Sequence, residues 1–236
     1  MEEGSGGDPE VWKRCAALTL GIAKELPALR RLSLGGGFKV ARMPDEKAAD
    51  LQAIGRALSP EIARFLADRG LGRDDFQLEI EPGTYLVALA GAILAEIIDQ
   101  VDTGADGHRF LKIDSGMTEL LRPALYGAQH PITVVPHGRS ASSESEDYLV
   151  VGHCCESGDI LTPAPGDPEG LLPRRLARAE IGDTLVIEGA GAYGSGMAAS
   201  NYNAFPKAAE VLVERDGNVR LIRARQTLAQ SLENEV

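Results

Sequence analysis

Cysteine is scarce in this chain: three in 236 residues, Cys15, Cys154 and Cys155, two of them adjacent. That count builds no disulfide framework, so a reducing, cytoplasmic setting is expected. Basic charge is also short. Twenty-four Lys and Arg face 35 Asp and Glu for a formal charge of −11, and no basic cluster exceeds Arg174-Arg175 with nearby Arg178. Such a surface repels phosphate backbones, which argues against nucleic acid as a partner. Long apolar runs are missing too. The longest, Tyr85 to Ile98, is shorter than a bilayer span and contains Glu96, while Met1-Glu2-Glu3 lacks the basic and apolar regions of a signal peptide. No membrane partner is expected. Repeats and low-complexity tracts are absent as well.

What remains is an ordinary globular composition, 44% hydrophobic and 25% charged, in a chain long enough to bury a core. The first part alternates helix and strand. Asp8-Pro9 suits a helix start, with Val11, Trp12, Cys15, Leu18 and Ile22 at helical spacing. Leu29 to Leu34 reads as a strand entering Gly35-Gly36-Gly37. The segment from Asp45 to Asp68 reads as a helix interrupted near Ser59-Pro60, with Ala48, Leu51, Ile54, Leu58, Ile62 and Leu66 on its apolar face, and Phe76 to Ile80 reads as the next strand. After Gly83 the character changes. Strand-like pieces recur at Phe110 to Ile113, Ile132 to Val135, Tyr148 to Val151, Thr184 to Glu188 and Glu210 to Val213, with Gly138 to Asp147 expected as an exposed polar loop.

The densest chemistry follows the strand Tyr148 to Val151, in Gly152-His153-Cys154-Cys155-Glu156-Ser157-Gly158-Asp159. A thiol is a reasonable proton donor near neutral pH. A metal site at His153, Cys154 and Cys155 is not expected, because strand neighbours point to opposite faces and no second Cys or His pair stands at zinc-like spacing. Gly35-Gly36-Gly37 after a strand would let backbone amides approach an anion. Arg122 and Tyr126, four apart, would share one face of a helical turn and suit a carboxylate.

Read together, Ser33-Leu34-Gly35-Gly36-Gly37-Phe38, Glu81-Pro82-Gly83, Arg122-Pro123-Ala124-Leu125-Tyr126, Cys155-Glu156-Ser157-Gly158-Asp159 and Gly191-Ala192-Tyr193-Gly194 resemble diaminopimelate decarboxylases. These are fold-type III enzymes dependent on pyridoxal phosphate. The resemblance implies an α/β plus β architecture: residues 1–80 as part of a pyridoxal-phosphate-binding TIM-type βα barrel lacking its N-terminal strands, and residues 81–236 as mainly a β-rich, Greek-key-like barrel domain, with the junction near 81–100. It implies decarboxylation of meso-diaminopimelate to L-lysine, in a homodimer with active sites at the interface.

The resemblance also distributes roles. Ser5 and Gly35, Gly36 and Gly37 would contact the cofactor phosphate, and Glu81, in Glu81-Pro82-Gly83-Thr84, would face the pyridine nitrogen. Tyr193 would reach both cofactor and substrate. Arg122, Tyr126 and Glu156 would bind substrate, and Cys155 would return a proton to Cα. The pattern departs in three places. Thr84 stands where an arginine is expected, leaving other basic amino acids or a carboxynorspermidine-like substrate open. The His-x-Gly-Ser-Gly motif appears as Glu2-Glu3-Gly4-Ser5-Gly6. None of Lys13, Lys24, Lys39, Lys47, Lys112 or Lys207 stands in the motif of the cofactor-anchoring lysine. The chain is therefore expected to be the C-terminal part of a longer enzyme, inactive alone. A non-catalytic homologue that binds and regulates a decarboxylase subunit is the alternative.

Overall fold

The structure, a computed structural model, describes residues 5–236, except for the side chain of Ser5. It divides into two compact units between Ala88 and Leu89.

The first unit is built on one parallel strand pair. A 3-10 turn, Ser5–Gly7, precedes α1 (Pro9–Lys24), capped by Asp8, whose carboxylate accepts from the Glu10 amide. Strand β1 (Arg31–Ser33), α2 (Leu51–Asp68) and β2 (Gln77–Glu79) form a β-α-β unit, with Leu32 paired to Leu78. A short helix, α3 (Gly83–Val87), follows. The helix α1 buries Trp12, Ala16, Leu20 and Ala23, whereas Leu18 and Ile22 are 72% and 70% exposed. The inward stripe is thus displaced from the expected one. Small residues at 16 and 23 let the helix approach its neighbours, and the larger Leu18 and Ile22 face out. Nor is α2 broken at Pro60. It runs through, burying Ile54, Leu58 and Phe65, while Ser59 sends its hydroxyl to the Gly55 carbonyl. Trp12 stacks on Phe38 at 4.2 Å, and Phe65 meets Phe76 edge-on.

The second unit is a six-stranded sheet in the order β5-β10-β3-β4-β6-β9. Its strands are β3 (Ala92–Asp102), β4 (Arg109–Ile113), β5 (Ile132–Val135), β6 (Ser145–Val151), β9 (Arg174–Ala177) and β10 (Thr184–Glu188). All pairings are antiparallel except β4 with β6. The edge strands β5 and β9 approach one another, so the sheet is nearly closed. The short helix α4 (Arg122–Tyr126) lies between β4 and β5, and β7 (Pro163–Ala164) pairs with β8 (Asp167–Leu171) as a hairpin. A second hairpin, β11 (Glu210–Val213) with β12 (Val219–Arg223), and the helix α5 (Leu228–Ser231) end the chain.

The apolar run at Tyr85 to Ile98 therefore divides between α3 and β3, which becomes a central strand. Alternation places Ala95 and Ile97 in the core while Leu94 and Ile98 face out. With Leu111, Ile113, Val150, Leu185 and Ile187 they form one continuous core. The expected loop 138–147 also contracts. Its last three residues begin β6, and Arg139 ion-pairs with the buried Asp183. Among the described residues no helix is long and apolar enough to cross a membrane.

Candidate active site

In the first unit the candidate phosphate elements are brought together by backbone packing. Gly35 and Gly37 have φ of +77° and +91°, values that side-chain-bearing residues rarely adopt. A Cβ on Gly36 would stand 2.2 Å from the Glu81 carbonyl oxygen, and one on Gly6 would stand 2.0 Å from the Gly37 carbonyl oxygen. Only glycine fits at either place. The amides of Gly36 and Gly37 donate to no acceptor among the described residues, which leaves an exposed run of donors.

Glu81 lies beside this run. Its amide donates to the Gly35 carbonyl at 2.8 Å, and its carboxylate accepts from the Ser33 hydroxyl at 2.7 Å; that hydroxyl oxygen in turn accepts from the Gly35 amide. The strand end, the glycine run and the carboxylate are one hydrogen-bonded piece. Pro82 caps α3, and Gly83 and Thr84 begin it.

In the second unit the thiol loop leaves β6 and returns at Ile160. Its organiser is Asp159, 3% exposed, whose carboxylate accepts from the Met117 amide at 2.7 Å and the Cys154 amide at 3.0 Å. Gly116 and Gly152 make room for it, since a Cβ on either would fall within 2.6 Å of the carboxylate. The two adjacent thiols differ in exposure, Cys154 half-buried and Cys155 exposed. Burial, followed by the Asp159 carboxylate, pushes the Cys154 thiol up to about 12, so it stays protonated at neutral pH. Cys155 is exposed, and so is Glu156. The Glu156 carboxylate accepts from the Gly158 amide at 3.1 Å.

Around the loop stand residues that sequence reasoning passed over. The Asn203 side-chain oxygen accepts from the Cys155 amide at 2.9 Å. Tyr202 stands near Glu156; partial burial first, then the Glu156 carboxylate, raise its pKa. The His153 ring stacks on Phe205 with centroids 3.6 Å apart, and its Nε2 is 2.8 Å from the Thr118 hydroxyl. Because Thr118 gives its single hydroxyl proton to Glu119, it accepts from His153, whose Nε2 therefore carries hydrogen. Ser115 also donates to Glu119. This stack walls a cavity of about 330 Å³ that Asp114 and Glu119 also line. The signal in the sequence was Asn201-Tyr202-Asn203: asparagine is the side-chain-bearing residue most at ease in left-handed backbone, and both asparagines adopt it here.

Arg122 and Tyr126 share α4, with the guanidinium 5.9 Å from the ring centroid. Tyr193 is 57% exposed at φ +54° in the loop after β10. That loop is anchored where the Ala190 amide meets the Gly91 carbonyl, a contact too close for a Cβ on Gly91. No hydrogen bond among the described residues joins Tyr126 or Tyr193 to the thiol loop. A larger cleft of about 500 Å³, lined by Asp102, Arg109, Glu146, Asp147 and Arg175, contains none of the candidates. Among the described residues no group of three His, Cys, Asp or Glu side chains is disposed to hold a metal ion.

Residues 74–191 match the family model described as pyridoxal-dependent decarboxylase, C-terminal sheet domain. Diaminopimelate decarboxylase of Streptomyces coelicolor is 35% identical over 238 residues, which is all of this chain and 52% of that protein. The diaminopimelate decarboxylase of Neisseria meningitidis serogroup A is 39% identical over 228 residues, 96% of this chain and 49% of that protein. Among solved structures, a diaminopimelate decarboxylase superposes with a TM-score of 0.88 at 32% identity, over 98% of this chain and 54% of the other. The Helicobacter pylori diaminopimelate decarboxylase complexed with L-lysine gives a TM-score of 0.78 at 31% identity, over 97% of this chain and 51% of the other.

Proposed function

The chain belongs to the pyridoxal-dependent decarboxylases, through their C-terminal sheet domain, and on that premise we propose that it serves the decarboxylation of meso-diaminopimelate to L-lysine in lysine biosynthesis. It spans about half the length of the curated relatives it matches. The first unit is then part of a pyridoxal-phosphate-binding βα barrel, and the lysine that anchors the cofactor comes from outside the six lysines of this chain. The isolated chain is inactive in this reading.

The cofactor, when bound, supplies the sink for the electrons left at Cα as carbon dioxide departs. Every other task falls to side chains and backbone. The free amides of Gly36 and Gly37 suit a phosphate, with Ser5 as a further contact, and the carboxylate of Glu81 beside them suits a protonated ring nitrogen. Arg122, with Tyr126 under its guanidinium, grips a substrate carboxylate. Glu156 binds substrate beside Cys155, and Tyr193 touches substrate and cofactor. Cys155 delivers a proton to Cα. In a homodimer with sites at the interface, Cys155 and Glu156 serve the partner's cofactor. The three free thiols fit a cytoplasmic setting.

The observation that carries the reading is the exposed Cys155-Glu156 tip, set beside Tyr202 while the neighbouring Cys154 is held as a neutral thiol. Of the two adjacent thiols, Cys155 is the more exposed, which supports its assignment over Cys154. In the assembled decarboxylase, Cys155→Ala should lower kcat by about a hundredfold or more, the scale of a lost general acid, with KM little changed. Unchanged kcat would remove Cys155 from the role.

A further inference from the structure

All four non-glycine residues with positive φ among the described residues, Tyr193, Asn201, Asn203 and Ala204, fall within one stretch of twelve. Left-handed backbone is unfavourable for a residue bearing a Cβ, so a cluster of it persists only where the surroundings over-determine it. Here they do. The Asn201 side-chain Nδ2 donates to the Phe205 carbonyl and to the Gln226 side-chain oxygen, which also accepts from the Lys207 backbone amide. The Ala199 amide donates to the Met117 carbonyl, and the Tyr202 and Ala204 amides close turns back to Ala199 and Asn201.

The segment so held presents three side chains to the thiol loop. Phe205 stacks on His153, Tyr202 stands near Glu156, and Asn203 accepts from the Cys155 amide. Asp159 already fixes the base of the loop through the Cys154 amide and the backbone of Gly152. It does not reach the Cys155 amide. That contact belongs to Asn203, whose φ of 52° and ψ of 26° aim its side-chain oxygen there.

We infer that Asn203 is a positioning residue for Cys155: its left-handed backbone and side-chain oxygen together fix the amide of the residue whose thiol returns the proton. The inference rests on the reading of Cys155 as proton donor. Two substitutions separate its components. Asn203→Gly keeps the backbone conformation and removes the acceptor, and Asn203→Asp keeps an acceptor at a residue that also tolerates left-handed φ.

The first measurement uses this chain alone: hydrogen exchange at the Cys155 amide. Asn203→Gly should speed it about tenfold, the effect of losing one ordinary hydrogen bond, while the amides of β3 keep their protection. Asn203→Asp should restore it. The second uses the assembled decarboxylase, where Asn203→Gly should lower kcat about tenfold with KM held within about twofold and Asn203→Asp should recover part of it. Unchanged exchange in Asn203→Gly overturns the inference. So does faster exchange with full kcat, in an enzyme that Cys155→Ala inactivates. If Cys155→Ala is itself fully active, the proton-donor reading fails instead.

Discussion

The two units hold their candidate chemistry by opposite means. In the first, the site is made of backbone and missing atoms: Gly6 and Gly36 press against carbonyls that leave no room for a Cβ, and exposed amides remain for an anion. In the second, it is made of side chains: the carboxylate of Asp159 and the amide oxygen of Asn203 each bind the amide of a cysteine. The difference teaches how each is damaged. A site built on absence breaks when atoms are added, and a site built on side chains breaks when they are removed.

The largest effect should come from removal. Asp159→Ala strands the part-buried amides of Met117 and Cys154 and opens a void beside Gly116 and Gly152, and a loss of about 3 kcal/mol in urea unfolding is expected. Addition in the first unit comes next. Gly36→Ala forces the loop off the Glu81 carbonyl and should cost about 2 kcal/mol by thermal unfolding. If Gly36→Ala proved neutral, the claim that this site is built on absence would be lost.

A pH experiment sharpens the second half of the comparison. The folded state holds the Cys154 proton to about 12, while an unfolded thiol releases it near 9.0. Between those values the unfolded chain ionises and the folded one does not, so stability falls as pH rises from about 9 towards 12. Below that window nothing is lost. Urea midpoints at pH 8 and pH 10.5 should therefore diverge more for the native sequence than for Cys154→Ser. The smallest effect is a control on glycine itself. Gly21 sits in α1 with nothing within 4 Å of an added Cβ, so Gly21→Ala should stabilise the chain by up to about 1 kcal/mol.

Much of this was legible in the chain. Strands Ile132 to Val135, Thr184 to Glu188 and Glu210 to Val213 end where alternation and turn residues say they should. Asp8-Pro9 capped its helix as written. Other features depended on tertiary context. The outward Leu18 and Ile22 satisfy the helical period as well as Trp12, Ala16 and Leu20 do, and spacing alone does not say which stripe meets a neighbour. Strand β3 was hidden because its apolar run continues from α3 with only Gly91 to break it. At the site, the motif residues were readable, but their supports were not. Nothing local links Asn203 to Cys155, 48 residues away, or His153 to Thr118, 35 away, because the first pairing exists only once the loop after β10 meets the loop after β6, and the second only once β4 and β6 lie side by side.

The most direct test of the central claim is carbon dioxide release from meso-diaminopimelate by this chain joined to a complementary barrel half that carries the anchoring lysine, compared with Cys155→Ala. Turnover is expected for the native sequence and a kcat at least about a hundredfold lower for the variant, with KM nearly unchanged. Equal turnover by the two proteins would contradict that claim.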